Sequence, residues 1–280
     1  MSKDKKNVSK LISFWLRHNP ADANLKVNEF GWVKLANVVL ALNQKGETFT
    51  ADEIYELSLT FDKVRWEFSP NKDQIRATHG HSISVILDDK FQIPPSILYH
   101  GTATKNIESI IGNGILNMQR QFVHLSENQS LATEISKRHG KPIIIDVDAE
   151  EISNQGQYFY KTSDNVWLTS KIKPTFLSIG PWHTVNEEEK TNLLKELKKE
   201  IDNKHQLFDK SNQIELLMRR YDMDDCLFID KSDNSVYTVH LTWSPEKENN
   251  PIYPNTKFFI SLIDWINTEL INDYNDWHNL

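Results

Sequence analysis

Apolar residues return at helical spacing three times in the first sixty positions and then switch to alternation, which predicts three helices followed by a hairpin. Leu11, Ile12, Trp15 and Leu16 would bury one face of a helix over residues 8–18, with Ser9 able to cap its start and Pro20 forcing a stop near Asn19. Val33, Leu35, Val38, Val39 and Leu42 mark a second helix over about 34–42. A third, over about 51–61, begins after Thr50 with Asp52 and Glu53 in its first turn. Residues 64–68 and 74–78 alternate across Ser69-Pro70-Asn71-Lys72-Asp73 and read as a hairpin. Three helices and a hairpin fit a winged-helix lobe over residues 1–93, an arrangement often used to hold nucleic acid.

Pro94-Pro95 is a stiff break, and beyond it short elements mix. Strands are expected at 97–100, 122–125, 143–147 and 166–168, and helices at 105–111 and 130–138. Neither βαβ regularity nor a glycine-rich phosphate fingerprint appears, which argues against a Rossmann fold. A second break is read from Lys173-Pro174 to Gly180-Pro181. It is followed by a charged helix over 186–204, a hairpin of 227–229 and 236–243 around Asp233-Asn234, and a helix over 257–271. The predicted fold class is α+β: the winged-helix lobe, a mixed or antiparallel β lobe over 94–180, and a small α+β accessory domain over 181–280.

Composition narrows the class. Over 280 residues the chain is 39% hydrophobic with 13 Phe and 8 Trp, enough for real cores. One cysteine, Cys226, excludes an internal disulfide and a Cys-rich zinc site. Apolar runs stay short of the ~18 residues of a membrane span, and the polar, basic N-terminus has no apolar signal region, so a cytoplasmic protein away from membranes is expected. Residues 1–180 hold 21 Lys and Arg against 20 Asp and Glu, whereas residues 181–280 hold 11 against 19, so the net charge of −7 belongs to the tail. An acidic chain is a poor general nucleic-acid coat but can still carry a local basic pocket. The tail reads as a protein-binding module rather than an RNA surface.

Arg17-His18 puts a permanent cation and a titratable imidazole side by side at a helix end. The pair suits a phosphate; it equally suits a solvated helix end, where both complement the helix dipole. Taken alone, His100 is a core histidine as readily as a ligand, and Gly101 a turn. Arg138-His139-Gly140 reads as a helix C-terminus with a glycine cap, His79 and His81 as residues that orient the wing, and Tyr158, Phe159 and Tyr160 as core. Metal-ligand spacing is not found.

Several strings in order carry a resemblance: Leu16-Arg17-His18-Asn19-Pro20, Ala77-Thr78-His79-Gly80-His81-Ser82, Leu98-Tyr99-His100-Gly101-Thr102, residues 118–126, Tyr160-Lys161-Thr162-Ser163 and Val166-Trp167-Leu168-Thr169. With Asn28–Val33 they resemble the RNA 2′-phosphotransferase family from about Val8 to Gly180; residues 181–280 lie outside the likeness. The resemblance implies an N-terminal winged-helix lobe and an ADP-ribosyltransferase-like lobe. It implies NAD-dependent removal of an internal RNA 2′-phosphate, on tRNA-like RNA. The phosphate would pass to ADP-ribose through a 2′-phospho-ADP-ribosylated RNA, giving 2′-OH RNA, ADP-ribose 1″,2″-cyclic phosphate and nicotinamide. It places catalytic roles on Arg17, His18, Arg65 and Arg120. It places NAD, consumed as co-substrate without a metal, against His100, Gly101, Thr102, His124 and Ser126.

The chain departs from the family pattern at three points. His79 stands where the family usually has Gln, Phe122 where a histidine usually follows the arginine, and Asn165 where a glycine usually precedes Val-Trp-Leu-Thr. Two other functions fit parts of the same string set: ADP-ribosyl transfer to a terminal nucleic-acid phosphate or a protein, and a winged-helix regulator with a degenerate NAD lobe. The four Arg and His residues together argue against the regulator.

Overall fold

The computed structural model describes residues 5–61, 64–138, 140–163 and 165–279. In chain order the first elements are α1 (Lys5–Arg17), β1 (Val33–Lys34), α2 (Leu35–Gln44), α3 (Ala51–Leu59), β2 (Trp66–Phe68) and β3 (Gln74–Ala77). Then come β4 (Ile97–Ala103), α4 (Ile107–Asn113), β5 (Val123–Ser126), α5 (Gln129–Ser136), β6 (Pro142–Asp148), α6 (Ala149–Asn154), β7 (Phe159–Ser163) and β8 (Val166–Thr169). The last are β9 (Leu177–Ile179), β10 (Trp182–His183), α7 (Glu187–Glu200), β11 (Ile214–Arg220), β12 (Asp225–Asp230), β13 (Val236–His240), β14 (Asn255–Phe259), α8 (Leu262–Trp265) and α9 (Ile271–Asn279). The protein is mixed α+β, built on antiparallel strand pairs.

The chain forms two compact units. The first gathers the described residues up to Pro94 with Leu116–Glu127 and Ser153–Lys171; the second gathers Pro95–Ile115, Asn128–Ile152 and the described chain from Ile172 onward.

In the first unit Ile12, Trp15 and Leu16 of the expected α1 stripe are buried and Leu11 is partly buried; with Val8 the three join Leu42, Ile54, Trp66 and Ile75 in one core. Ser9 does not cap α1. The helix starts earlier, and Ser9 is buried inside it. Thr50 does cap α3: its hydroxyl accepts the Glu53 N–H at 3.2 Å while the Glu53 carboxylate accepts the Thr50 N–H at 2.9 Å. The β2–β3 hairpin forms where expected, and β1, absent from the sequence expectation, joins it through Val33 opposite Ile75. Further on, β5 pairs with β8 and β8 with β7.

In the second unit the strand order is β14-β13-β12-β11-β10-β9-β6-β4. Gly180-Pro181 is a tight turn between paired strands, Trp182 lying opposite Ile179, and Gly180 takes the left-handed φ of +58°. Leu193 and Leu197 of α7 cover Leu216, Cys226 and Phe228. Trp182 meets the Trp265 ring edge-on at 5.1 Å and donates from Nε1 to Asp273 at 2.8 Å.

Two elements correct the expectation for this region. Asn255–Phe259 is a strand paired with β13, not the start of a helix; the helix begins at Leu262, where the Ser261 hydroxyl accepts the Asp264 N–H. Residues 214–220, left without an element by the sequence pattern, form β11 with Ile214, Leu216 and Met218 buried in alternation. Among the described residues no helix is long and apolar enough to cross a membrane.

Candidate active site

Arg17 is the last residue of α1, and the chain after β3 is fastened to it. Its carbonyl accepts the N–H of Ser82 at 2.9 Å and of Ile83 at 3.4 Å. Gly80, at φ +86°, turns the chain so closely that a Cβ there would lie 3.7 Å from the Arg17 side chain. From its other end Arg17 Nη2 donates to the main-chain oxygen of Arg65 at 3.1 Å, an oxygen that also accepts the Thr78 N–H at 3.2 Å. The Arg65 guanidinium lies over the Phe61 ring, 4.4 Å from its centre.

Arg120 sits on a tight turn. Its N–H donates to the Asn117 carbonyl at 2.9 Å, and the Asn117 amide donates back to the carbonyls of Arg120 at 2.8 Å and Gln121 at 3.1 Å. Gln121 ties this turn to the loop after β3. Its N–H donates to the His81 carbonyl at 2.9 Å, and its side chain accepts the Val85 N–H and donates to the Val85 carbonyl. One loop, 79–85, therefore holds the end of α1 and the Arg120 turn in register.

The electrostatics of this cluster differ from those of an ordinary buried arginine. Arg76 is buried against the carboxylates of Glu67 and Asp89, both at 2.6 Å. Among the described residues, Arg17, Arg65 and Arg120 have no carboxylate partner, and the buried nitrogens Arg17 Nε and Arg65 Nη1 have no hydrogen-bond partner. Burial, then Arg65, then Arg120 push the Arg17 pKa down to about 10. A buried cation without a counter-charge is costly, so the arrangement is built for an anion that arrives from outside.

His18 meets Ser82 Oγ through Nδ1 at 3.1 Å. Burial, Arg17 and Arg120 hold it below the ordinary histidine range, so it is neutral near pH 7 in the free protein. The helix end alone would keep it protonated; here burial, joined by the two neighbouring guanidinium groups, reverses the sign. Burial and Arg17 push His81 down to about 4, and burial with Arg120 and His79 pushes His124 down to about 2. The rings of His79 and His124 meet edge-on at 5.6 Å.

Arg17, His18, Arg65 and Arg120 thus share one compact unit with His124 and Ser126, which lie on β5. His100, Gly101 and Thr102 lie on β4 in the second unit. A Cβ on Gly101 would run into the Ala132 carbonyl of α5, so helix-on-strand packing by itself requires that glycine. Thr102 Oγ1 accepts the Asn106 amide at 3.0 Å. Ser82 and Gln121 are positioning residues that motif reading did not single out by role, although both stand inside quoted strings. Lys63 and His139 lie outside the described residues.

With this geometry in hand, residues 3–171 match the family model described as RNA 2′-phosphotransferase, Tpt1 / KptA family. Three bacterial relatives are each named "Probable RNA 2′-phosphotransferase". That of Acaryochloris marina is 36% identical over 172 residues, covering 61% of this chain and 95% of the relative. That of Pectobacterium atrosepticum is 37% identical over 179 residues, 63% and 99% respectively. That of Herpetosiphon aurantiacus is 38% identical over 172 residues, 61% and 94%.

Proposed function

We propose that this chain, which belongs to the RNA 2′-phosphotransferase family, removes an internal 2′-phosphate from RNA by passing it to the ADP-ribose of NAD. One observation carries the reading: three guanidinium groups gathered with no carboxylate partner among the described residues, two of them with buried nitrogens that have no partner there either. A 2′-phosphomonoester is a dianion flanked by diester anions, and arginine meets it with fork geometry and a charge it does not lose.

When bound, NAD supplies the ADP-ribosyl group that accepts the phosphate, so that RNA leaves with a 2′-OH and nicotinamide and ADP-ribose 1″,2″-cyclic phosphate are formed. The protein's part is positioning and charge neutralisation, which dominate phosphoryl transfer. Arg65 and Arg120 bind the non-bridging phosphate oxygens. Arg17, latched to the Arg65 carbonyl, fixes the phosphate between them. His18 takes up a proton as the dianion enters and gives it to the departing RNA 2′-oxygen.

The family resemblance assigns to NAD His124 and Ser126 in the first unit and, separately, His100, Gly101 and Thr102 in the second. The donor chemistry fits: a histidine held neutral, as His124 is, hydrogen-bonds ribose hydroxyls without adding charge. Helices α1–α3 with the β1-β3-β2 sheet support reading the first part of the chain as a winged-helix lobe that holds RNA. The antiparallel pairs β5–β8 and β7–β8 in the first unit, and β4–β6 and β6–β9 in the second, support reading ADP-ribosyltransferase-like strands in this part of the chain. The test is incubation with NAD and a short RNA bearing one internal 2′-phosphate. Loss of that phosphate from RNA only when NAD is present is expected, and retention of the phosphate refutes the reading.

A further inference from the structure

Phe122 follows Arg120 by two residues and lines a cleft of about 430 Å³ in the same compact unit. That volume falls within the ~300–1,000 Å³ of small-molecule sites. The cleft is lined by the rings of Phe122, Tyr158 and Tyr160 with the amides of Gln155 and Gln157. Phe122 and Tyr160 are 5.6 Å apart and tilted, and Tyr158 meets Phe91 edge-on at 5.4 Å. The expectation that residues 158–160 are core holds for Phe159, which is fully buried, and in part for Tyr160, which packs against Val85, Leu87 and Leu168; Tyr158 keeps 63% of its surface and Phe91 49%. Two braced aromatic rings left open to water are an unfilled apolar surface. The lining contains no charged side chain, so what it takes is flat and uncharged. Gln157 Nε2 is fixed by Thr169 Oγ1 at 2.9 Å, which sets one amide edge beside the rings.

We infer that this cleft takes the nucleobase of the nucleotide adjoining the 2′-phosphate, stacked against Tyr158 and Phe122. The inference rests on the reading that Arg120 holds that phosphate. Two extended residues span at most ~7 Å, so the cleft begins within reach of the neighbouring base. Stacking accepts any base because every base has a π face, and the two glutamine amides supply whatever preference exists.

The test uses the full chain without NAD and a short 2′-phosphorylated RNA carrying 2-aminopurine, a fluorescent adenine analogue, next to the phosphate. Wild type should quench the emission on binding, and so should Y158W. Y158A, an exposed change whose fold is checked by circular dichroism, should lose the quenching and bind roughly 5- to 150-fold more weakly. An RNA abasic at that nucleotide should bind wild type and Y158A equally. Absence of quenching by wild type, unchanged binding by Y158A, or the same loss on abasic RNA overturns the inference. Because NAD is left out, a failure of phosphate transfer with the quenching intact strikes the reaction reading and not the cleft.

Discussion

Arg17 donates from Nη2 to the main-chain oxygen of Arg65 at 3.1 Å, so one cation of the cluster is fastened to the backbone of another. Their spacing is therefore set by folding and not by a ligand, which is the condition for electrostatic catalysis without reorganisation. The latch uses the Arg65 carbonyl, so removing the Arg65 side chain leaves it in place.

From that separation of roles, Arg65→Ala and Arg120→Ala should fold normally and lose turnover by about 2–4 kcal/mol of transition-state stabilisation. Initial rates with far-ultraviolet circular dichroism as the control decide it. Normal rates in either variant would remove that residue from the cluster's function.

His18 should titrate below the ordinary histidine range in the free protein and move upward when a 2′-phosphorylated RNA binds. Arg120→Ala should raise it in the free protein, because it removes one of the charges that hold it down. Histidine resonances followed by NMR from pH 5 to 8 give both shifts. A free-protein value above 6.5 would contradict this electrostatic account.

Acid should weaken the first unit through its neutral histidines. The folded-state values of about 4 for His81 and about 2 for His124 lie below the unfolded value, so below pH 6.5 the unfolded chain binds the extra protons. Stability is full above pH 6.5 and falls as pH drops toward those values, by about 1.4 kcal/mol per pH unit for each histidine at most. Urea denaturation at pH 7.0 and 5.0 measures the loss, and His81→Gln should flatten the dependence. Equal slopes in wild type and variant would show that His81 titrates freely.

Thr50→Ala removes the hydroxyl that accepts the Glu53 N–H, one half of the α3 capping box, and should cost about 0.5–2 kcal/mol without altering the pH profile of the reaction. Thermal unfolding monitors the first effect and initial rates the second.

Trp182→Ala should cost about 3–5 kcal/mol, because the ring is fully buried against Trp265 and its Nε1 satisfies Asp273. A chain cut after Gly180 loses those contacts and also Tyr274, whose hydroxyl accepts the Ile144 N–H at 3.1 Å. Such a chain should be insoluble or unfolded in its second unit. A soluble, cooperatively folding product would show that β4, β6 and β9 stand without the tail.

Local features were the legible ones. The Thr50–Glu53 cap and the β2–β3 hairpin follow from neighbours a few residues apart, so sequence spacing is enough to predict them. The strand at 255–259 was not legible. The apolar run Phe258, Phe259, Ile260, Leu262 and Ile263 suits helix or strand, and the choice is made by β13, some twenty residues away. The membership of Arg17, His18, Arg65 and Arg120 in one set came from the order of motifs, not from their spacing. What gathers them is the Gln121 amide on Val85 and the loop bonded to the Arg17 carbonyl, contacts between residues 36 and more apart. The open face of Tyr158 was hidden for the opposite reason, since composition marks an aromatic triplet as core whether or not anything covers it.

The central claim is that phosphate leaves RNA onto ADP-ribose. The direct measurement follows a radiolabelled internal 2′-phosphate in a short RNA incubated with NAD. The account predicts the label in ADP-ribose 1″,2″-cyclic phosphate, with one nicotinamide released and one RNA 2′-OH formed per phosphate moved. Label that stays on the RNA, or that appears as inorganic phosphate with NAD unconsumed, would contradict it.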